Sequence, residues 1–298
     1  MLRTCVPGDA PRAKLSGMVD TGLSGKVAFV SGASGGIGRA IVRAFAAEGA
    51  FVVAGGFSRT DELRELVRRE GLGAQVDAIQ ADVRDPDALD QVFQLAEARH
   101  GPVEVCVACA GVWPAESLPL HRVSPERVRS TIDSNLLGSV WTLRAFARGL
   151  ERRTERTGSA SPSADGPSAV LIGSTAARYG ERDHADYALA KAGLYGLLQS
   201  LKNELPRIDP GARCNLVEPG WTRTEMARAA LDDPRAVQQA TSTMALQRVG
   251  EAEDVARAVL TLASPTLSRH VTGQVVTVAG GMEGRLLWGD LHPPKDQN

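Results

Sequence analysis

Three residues past the middle of the chain have the types and spacing needed for proton transfer. Ser174 follows an apolar run, Tyr187 comes thirteen residues later, and Lys191 stands four positions beyond the tyrosine. Residues four apart share one face of a helix, so Tyr187 and Lys191 should project together. A phenol has an ordinary pKa of about 10, and a nearby ammonium group favours its phenolate, so we expect Lys191 to lower the pKa of Tyr187. Ser174 could hold a substrate carbonyl or hydroxyl beside that phenol.

A glycine-rich segment follows the first apolar run and reads Ser31-Gly32-Ala33-Ser34-Gly35-Gly36-Ile37-Gly38. Glycines between a strand and a helix let backbone N–H groups approach a pyrophosphate. The spacing departs from the ordinary G-x-G-x-x-G pattern, so a simple glycine-rich turn stays an alternative. The same letters spell G-x-S-x-G, the nucleophile elbow of serine hydrolases, with Ser34 as nucleophile and Asp254 and His270 as its partners. That elbow usually follows several strands, whereas Ser34 follows the first, which makes the hydrolase the minor alternative.

The elements that must position these residues alternate regularly along the chain. Apolar runs typical of strands are separated by amphipathic stretches of helical length, which require crossover connections. We therefore predict an α/β fold: a single Rossmann-like, doubly wound parallel sheet of about seven strands with helices on both faces. The predicted strands are 27–31, 51–54, 76–80, 103–108, 169–172, 213–217 and 274–278, and the predicted helices are 37–48, 61–70, 87–99, 125–150, 184–205 and 252–262.

The domain organisation follows from where this rhythm starts, pauses and stops. Residues 1–22 lack periodicity and are predicted to be a flexible tail, 23–284 form one catalytic domain, and 285–298 form a second tail. Within the domain, 152–168 is rich in Ser, Thr, Arg, Gly and Pro, which indicates a surface insertion.

Composition excludes several classes of protein. Of 298 residues, 43% are hydrophobic and 23% charged, a balance that supports a packed core. Lys and Arg number 34 against 35 Asp and Glu, for a formal net charge of -1, so we expect no nucleic-acid partner and no membrane partner. The 4 cysteines are too few for a disulfide framework and fit the cytoplasm. The 5 histidines show no ligand spacing, so no metal is predicted.

Between about Leu23 and Gly281 the sequence resembles the short-chain dehydrogenase/reductase family at seven positions or segments, which occur in the same order along the chain as in the family. They are the loop glycines Gly32, Gly36 and Gly38, then Asp82-Val83, Ala110-Gly111, Asn135, Ser174, Tyr187 with Lys191, and Pro219-Gly220 with Thr224. The resemblance implies that Tyr187 exchanges a proton, Lys191 also holds the nicotinamide ribose, Ser174 orients the substrate and Asn135 supports a water relay. It extends the expected cofactor contacts to Ser34, Ile37 and Thr222, and it suggests a homotetramer or homodimer.

Two departures from the family's pattern stand out. Its N-N-A-G turn becomes Ala108-Cys109-Ala110-Gly111, which removes two amides that usually brace the sheet, and Ala279 stands where an aspartate is common. Cys106 and Cys109 have the C-x-x-C spacing of a redox pair. Residues three apart on a strand face opposite sides, so we predict inert thiols instead.

The predicted end of the second strand bears on cofactor choice. NAD-specific Rossmann folds usually place an acid there to bind the ribose hydroxyls. Here no acid occurs before Asp61, while Ser58 and Arg59 could hold a 2′-phosphate, so we predict NADP(H) over NAD(H). The alternative is a plain helix cap followed by a surface arginine.

The substrate pocket is expected beyond the carboxyl ends of the strands, near the large side chains of Trp113, Tyr179, Trp221 and Met226. Residues 221–247 resemble the family's variable lid, whose Arg223 and Arg228 hint at an anionic or carrier-linked substrate, although solvated charges explain them equally well. We hypothesise an NADP(H)-dependent oxidoreductase that interconverts a ketone and a secondary alcohol, with a 3-oxoacyl thioester as one candidate. A nucleotide-binding sensor without turnover is a third reading.

Overall fold

A seven-stranded parallel sheet forms the centre of the protein. The computed structural model describes residues 20–157 and 166–282. Most of the predicted tail 1–22, all of the predicted tail 285–298 and the centre of the predicted insertion 152–168 lie outside the described residues. The sheet order is β3-β2-β1-β4-β5-β6-β9, and every adjacent pair is parallel, as predicted. Its strands are β1 Val27–Val30, β2 Phe51–Gly56, β3 Val76–Gln80, β4 Val103–Ala108, β5 Ser168–Ile172, β6 Arg213–Pro219 and β9 Val275–Val278.

Helices cover both faces of this sheet, and each face has its own apolar core. The long helices are α1 Gly36–Ala47, α2 Thr60–Arg69, α3 Pro86–His100, α4 Pro125–Ile132, α5 Gly138–Thr157, α7 Ala185–Ile208 and α10 Ala252–Ala263. One core contains residues of α1, α2 and α10, and the other contains residues of α3, α5 and α7. Strands covered on both faces need no polar alternation, which is why β1 and β5 are buried along their whole length.

The predicted helix over 125–150 is interrupted, which corrects the sequence-based prediction. Helix α4 ends at Ile132, a single π-helical turn spans Asp133–Leu137, and α5 begins at Gly138. A π turn adds one residue to the helical repeat and so rotates the side chains that follow it. Asn135 lies at the centre of this turn.

Two predicted boundaries also move. Helix α5 continues to Thr157, so the first six residues of the predicted insertion are helical. At the other end, Thr21 Oγ1 donates to Glu48 Oε2 at 2.7 Å, and the Thr21 carbonyl accepts a hydrogen bond from Ser264. The packed fold therefore begins slightly before residue 23.

Smaller elements lie between the β5 to β9 strands, where the sequence predicted none. They are α6 Ala176–Tyr179, β7 Thr222–Arg223, α8 Arg228–Leu231, α9 Pro234–Thr241 and β8 Gly250–Glu251. The β7–β8 pair ties the start of the predicted lid to the loop before α10. The sheet order reverses direction between β1 and β4, and in open α/β sheets such a switch point opens a crevice at the carboxyl ends of the strands.

Candidate active site

One cavity of about 730 Å³ lies at the carboxyl ends of the strands. Loops that follow β1 to β6 all contribute to its wall, as expected at a switch point. All residues predicted to be catalytic or to bind the cofactor line this cavity: Gly32, Ser34, Gly36, Ile37, Gly38, Ser58, Arg59, Asp82, Val83, Ala110, Gly111, Asn135, Ser174, Tyr187, Lys191, Pro219, Gly220, Thr222 and Thr224. The fold thus brings together positions that are far apart in the chain.

Tyr187 and Lys191 share one face of α7, while Ser174 reaches them from the end of β5. The Ser174 side chain lies near enough to the Tyr187 hydroxyl to favour its ionised form, and the Ser174 oxygen accepts from the Ala176 backbone N–H at 3.2 Å. Lys191 Nζ lies 5.9 Å from the centroid of the Tyr187 ring and donates to the Ile172 carbonyl at 2.9 Å. A hydroxyl pair and an ammonium group therefore meet at one point of the cavity wall.

The electrostatics of this cluster correct one expectation. Burial raises the pKa of Tyr187 to about 12, although the hydrogen bond from Ser174 opposes that rise. Burial also lowers the pKa of Lys191 to about 8. We expected Lys191 to lower the pKa of Tyr187, and in this arrangement it does not. The ammonium group points at a backbone carbonyl, and loss of solvent outweighs its attraction for the phenolate.

Asn135 uses its side chain to hold the loop after β4. Its Nδ2 donates to the carbonyls of Val112 and Thr131, both at 3.0 Å, and its Oδ1 accepts from the Val112 N–H at 3.1 Å. The side chain is fully buried, so its three hydrogen bonds fix the loop against the π turn. Asn135 is thus a positioning residue for this wall of the cavity, and the water relay implied by the resemblance stays a proposal.

The glycine loop is shaped by two close backbone approaches. Gly32 has a φ of 64°, in the left-handed region, and a Cβ there would lie 2.6 Å from the Ala110 Cα. A Cβ on Gly38 would lie 2.2 Å from the Gly32 carbonyl oxygen. Only glycine fits either position, and the result is a tight turn that exposes the start of α1 to the cavity.

Charged residues line the end of the cavity near β2 and β3. Arg59 forms an ion pair with Glu225, from the loop after β6, and Arg39 pairs with the same carboxylate at 3.5 Å. The Asp82 carboxylate is held by the Arg84 side chain at 2.7 Å, and this hydrogen bond lowers the pKa of Asp82. Sequence reasoning missed the roles of Arg39 and Glu225 because their partners are distant in the chain.

The predicted alternative to a phosphate contact at Arg59 was a helix cap, and the structure does not form it. Arg59 occupies the N-cap position of α2, but no side chain caps that helix through a hydrogen bond. Ser58 and Arg59 both line the cavity. Their side chains are therefore placed to meet a ligand at the end of β2.

Trp113 and Trp221 form an aromatic end of the cavity, where their rings meet edge-on at 6.4 Å. Tyr179 and Met226 also line the cavity, as predicted. The sequence did not predict that Glu181 lines the same wall. Arg223 and Arg228 do not line the cavity, and Arg223 instead pairs with Glu251 at 3.3 Å, so the hint of an anionic substrate has no support from these arginines.

Comparison with known proteins agrees with this geometry. A family model described as enoyl-(acyl carrier protein) reductase matches residues 32–283. The chain belongs to the short-chain dehydrogenase/reductase (SDR) family. It is 34% identical over 260 residues to the 3-oxoacyl-(acyl-carrier-protein) reductase FabG of Escherichia coli, covering 87% of this chain and 98% of the relative. It is 35% identical to the reductase MabA of Mycobacterium avium, covering 87% and 92%.

Solved SDR structures share the fold. A glucose/ribitol dehydrogenase-type SDR of Brucella melitensis superposes with a TM-score of 0.76 at 26% identity, covering 87% of this chain and 97% of that one. A gluconate 5-dehydrogenase of Burkholderia cenocepacia, solved with NADP and tartrate, gives 0.77 at 25% identity, with 88% and 97% covered. The chain is therefore an SDR oxidoreductase that uses a nicotinamide cofactor.

The missing amides of this SDR's N-N-A-G-like turn are compensated by Ser31. Its hydroxyl oxygen accepts from the N–H groups of Cys109 and Ala110 at 3.1 and 3.2 Å, and its O–H faces the Val107 carbonyl at 3.4 Å. Ser31 is itself buried at the end of β1. One hydroxyl therefore ties β1 to the turn after β4, which restores a brace at the switch point.

The remaining alternatives find no support. Asp254, the acid of the hydrolase hypothesis, caps α10 and pairs with Arg248 and Arg257, and neither it nor His270 lines the cavity beside Ser34. Cys106 and Cys109 are free and face opposite sides of the sheet, as predicted: Cys106 is buried in one core, whereas Cys109 packs half-buried against the other and also lines the cavity. Within 20–157 and 166–282, no helix is long and apolar enough to cross a membrane, and no side-chain cluster could hold a metal ion.

Proposed function

We propose that this SDR interconverts a ketone and a secondary alcohol with NADP(H), and that Tyr187 exchanges the proton. One observation carries the proposal: Ser174, Tyr187 and Lys191 share a cavity wall with the glycine loop. The loop fits a dinucleotide because Gly32 and Gly38 permit the tight turn that exposes the start of α1 to the cavity. The cofactor, when bound, supplies or accepts a hydride at the carbonyl carbon.

The residues of the chain supply positioning and the proton. The hydroxyls of Ser174 and Tyr187 lie together and would both hydrogen-bond the substrate oxygen. A pKa of about 12 keeps Tyr187 protonated at neutral pH, so reduction begins with the acid already in place. Lys191, with a pKa of about 8, would hold the nicotinamide ribose. It would also supply the proton that restores Tyr187 after the tyrosine has protonated the substrate.

The preference for NADP(H) is supported by the charge at the end of β2. Arg59 and Ser58 face the cavity, Arg39 lies near them, and no acid of the β2–α2 loop stands where a ribose-binding carboxylate would. Glu225 at present neutralises Arg59, so a 2′-phosphate would compete with that carboxylate. The similar gluconate 5-dehydrogenase was solved with NADP.

The substrate proposal draws on the relatives. FabG of Escherichia coli and MabA of Mycobacterium avium are named for 3-oxoacyl groups on acyl carrier protein, so a 3-oxoacyl thioester is the first candidate for this chain. We propose with it a homotetramer or homodimer located in the cytoplasm. Size-exclusion chromatography with light scattering tests the oligomer directly.

The test of this function titrates NADPH and NADH separately into the protein, followed by mixing with ketones and 3-oxoacyl thioesters. Tighter binding of NADPH and carbonyl-dependent loss of its absorbance are expected. Binding of NADPH without turnover of any carbonyl would favour the sensor instead, and failure to bind either nucleotide would refute the dehydrogenase assignment.

A further inference from the structure

The aromatic end of the cavity contains one acidic side chain that the proposed chemistry does not use. Glu181 follows α6 after a single glycine and lines the same cavity as Tyr187. Its side chain is 25% exposed, so its carboxylate is partly withdrawn from solvent yet open to the cavity. Burial raises the pKa of this carboxyl group, and His184 opposes the rise. The Glu181 charge also helps to raise the pKa of Tyr187, whose side chain lines the same cavity.

Aromatic neighbours orient this carboxylate. Trp113 Nε1 donates to Glu181 Oε1 at 3.1 Å, and the same indole stacks on His184 with ring centroids 4.5 Å apart. Trp221 meets Trp113 edge-on at 6.4 Å. His184 is buried, and its Nε2 lies 3.0 Å from the Pro114 carbonyl. The first carboxylate oxygen is thus held by an indole that itself packs against the buried ring of His184.

The second carboxylate oxygen of Glu181, Oε2, is the one left for a ligand. Within the described part of the chain, no hydrogen bond to Glu181 Oε2 occurs, whereas Oε1 has the indole. A carboxylate accepts hydrogen bonds and donates none. A partly buried, oriented acceptor in an apolar pocket selects for a donor, because a ligand without one leaves the acceptor unpaired.

We propose that Glu181 is a specificity-determining residue that accepts a hydrogen bond from an O–H or N–H group on the substrate, a few atoms from its carbonyl carbon. This inference rests on the proposed reductase function and narrows its substrate class. The donor is either a hydroxyl on the ketone's carbon chain or the amide N–H of a thioester arm. The same carboxylate disfavours ketones that carry a carboxylate near the carbonyl, since like charges repel.

The test compares kcat/KM within two matched pairs of substrates. The N-acetylcysteamine thioester of acetoacetate carries an amide N–H, and S-butyl acetothioacetate lacks it. Hydroxyacetone carries a hydroxyl, and butanone replaces it with a methyl group. For the wild-type protein, the donor-bearing member of at least one pair is preferred about tenfold or more, as expected for a hydrogen bond to a charged acceptor. The pair that shows the preference identifies the donor.

Two variants at Glu181 separate its contributions. In Glu181→Leu the preference within that pair falls to about one, while Glu181→Gln keeps a carbonyl acceptor and retains part of it. Glu181→Gln also raises kcat/KM for acetoacetate about tenfold, because the repelling charge is gone. The matched control is Glu126→Gln, whose side chain is 78% exposed on α4 and pairs only weakly with Arg129. Glu126→Gln should leave the kcat/KM ratio within each substrate pair unchanged.

Ratios measured in one preparation do not depend on the fraction of folded protein, so a purely structural role cannot mimic this result. Should Glu181→Leu fail to fold, Trp113→Phe tests the same point: it removes the bond that orients the carboxylate and reduces the preference while keeping the charge. If the kcat/KM ratio within each substrate pair is the same in wild type and Glu181→Leu, the inference is overturned. The proposed reductase function would be unaffected by that result. Absence of NADPH-dependent turnover of any carbonyl in the wild type would instead overturn the proposed function.

Discussion

Replacement of Lys191 by methionine should stabilise the protein while it abolishes turnover. Lys191 is only 4% exposed, and burial lowers its pKa from 10.5 to about 8. Holding the charged ammonium in the folded state therefore costs free energy at neutral pH. Methionine has a similar length and no charge, so the variant escapes that cost.

The size of the effect follows from the pKa difference. The fall of the Lys191 pKa from 10.5 to about 8, at about 1.36 kcal/mol for each pH unit, gives a cost of about 3 kcal/mol at pH 7. The variant also loses the hydrogen bond from Lys191 to the Ile172 carbonyl, which offsets about 1 to 1.5 kcal/mol of the stabilisation gained by removing the charge. The net gain in the free energy of unfolding is then about 2 kcal/mol, or a rise in Tm of about 3 °C for a chain of 298 residues.

The pH dependence gives this prediction a second, independent signature. Between pH 8 and 10.5 the unfolded chain binds a proton at Lys191 that the folded chain does not, so wild-type stability rises with pH across that window. The cost falls to about 1 kcal/mol at pH 9.5, so the advantage of the variant should largely vanish there.

Chemical denaturation of wild type and Lys191→Met at pH 7 and pH 9.5, both without nucleotide, measures the effect. A variant less stable than wild type at pH 7, or an advantage that grows with pH, would refute the reasoning.

Three further predictions concern the walls of the site. Gly38→Ala places a Cβ 2.2 Å from a backbone oxygen of its own loop and should raise the Kd for NADPH more than about tenfold, whereas Gly73→Ala, with nothing within 4 Å, should not. Arg59→Ala should weaken NADPH binding about tenfold or more and leave NADH binding unchanged by fluorescence titration. Arg127→Met strands the buried Asp186 carboxylate and should cost about 3 kcal/mol of unfolding free energy by urea titration at pH 7. Because the pKa of Asp186 is lowered in the fold, the pair's contribution is lost as pH falls below about 4, and a cost of Arg127→Met that stays constant down to acid pH would contradict this account.

Most of the fold could be predicted because it depends on local patterns. Strands buried on both faces, such as β1 and β5, appear in the sequence as continuous apolar runs, and their predicted bounds differ from the structure by one residue or so. The π turn at Asp133–Leu137 could not be predicted, because a single extra residue leaves the apolar pattern of a long helix nearly unchanged. The short helices α8 and α9 bury no residues, so they carry little pattern to detect.

In the site, too, the residues that could be predicted are those identified by local sequence patterns. Motif residues such as Tyr187 and Lys191 could be identified because their spacing is fixed within one helix. Glu181 and Glu225 could not, because their partners Trp113 and Arg59 are 68 and 166 residues away in the chain. The pKa of Tyr187 was predicted in the wrong direction because spacing reveals a charged neighbour but not the loss of solvent around the phenol.

The most direct test of the central claim compares wild type with Tyr187→Phe in two measurements on the same preparations. NADPH binding is followed by fluorescence titration, and oxidation of the bound NADPH by a carbonyl substrate is followed in single-turnover mixing. The variant should bind NADPH within about twofold of wild type and oxidise it at least about 100-fold more slowly, because only the proton donor is lost. A Tyr187→Phe protein that retains near-wild-type oxidation would show that the proton comes from elsewhere and would contradict the account.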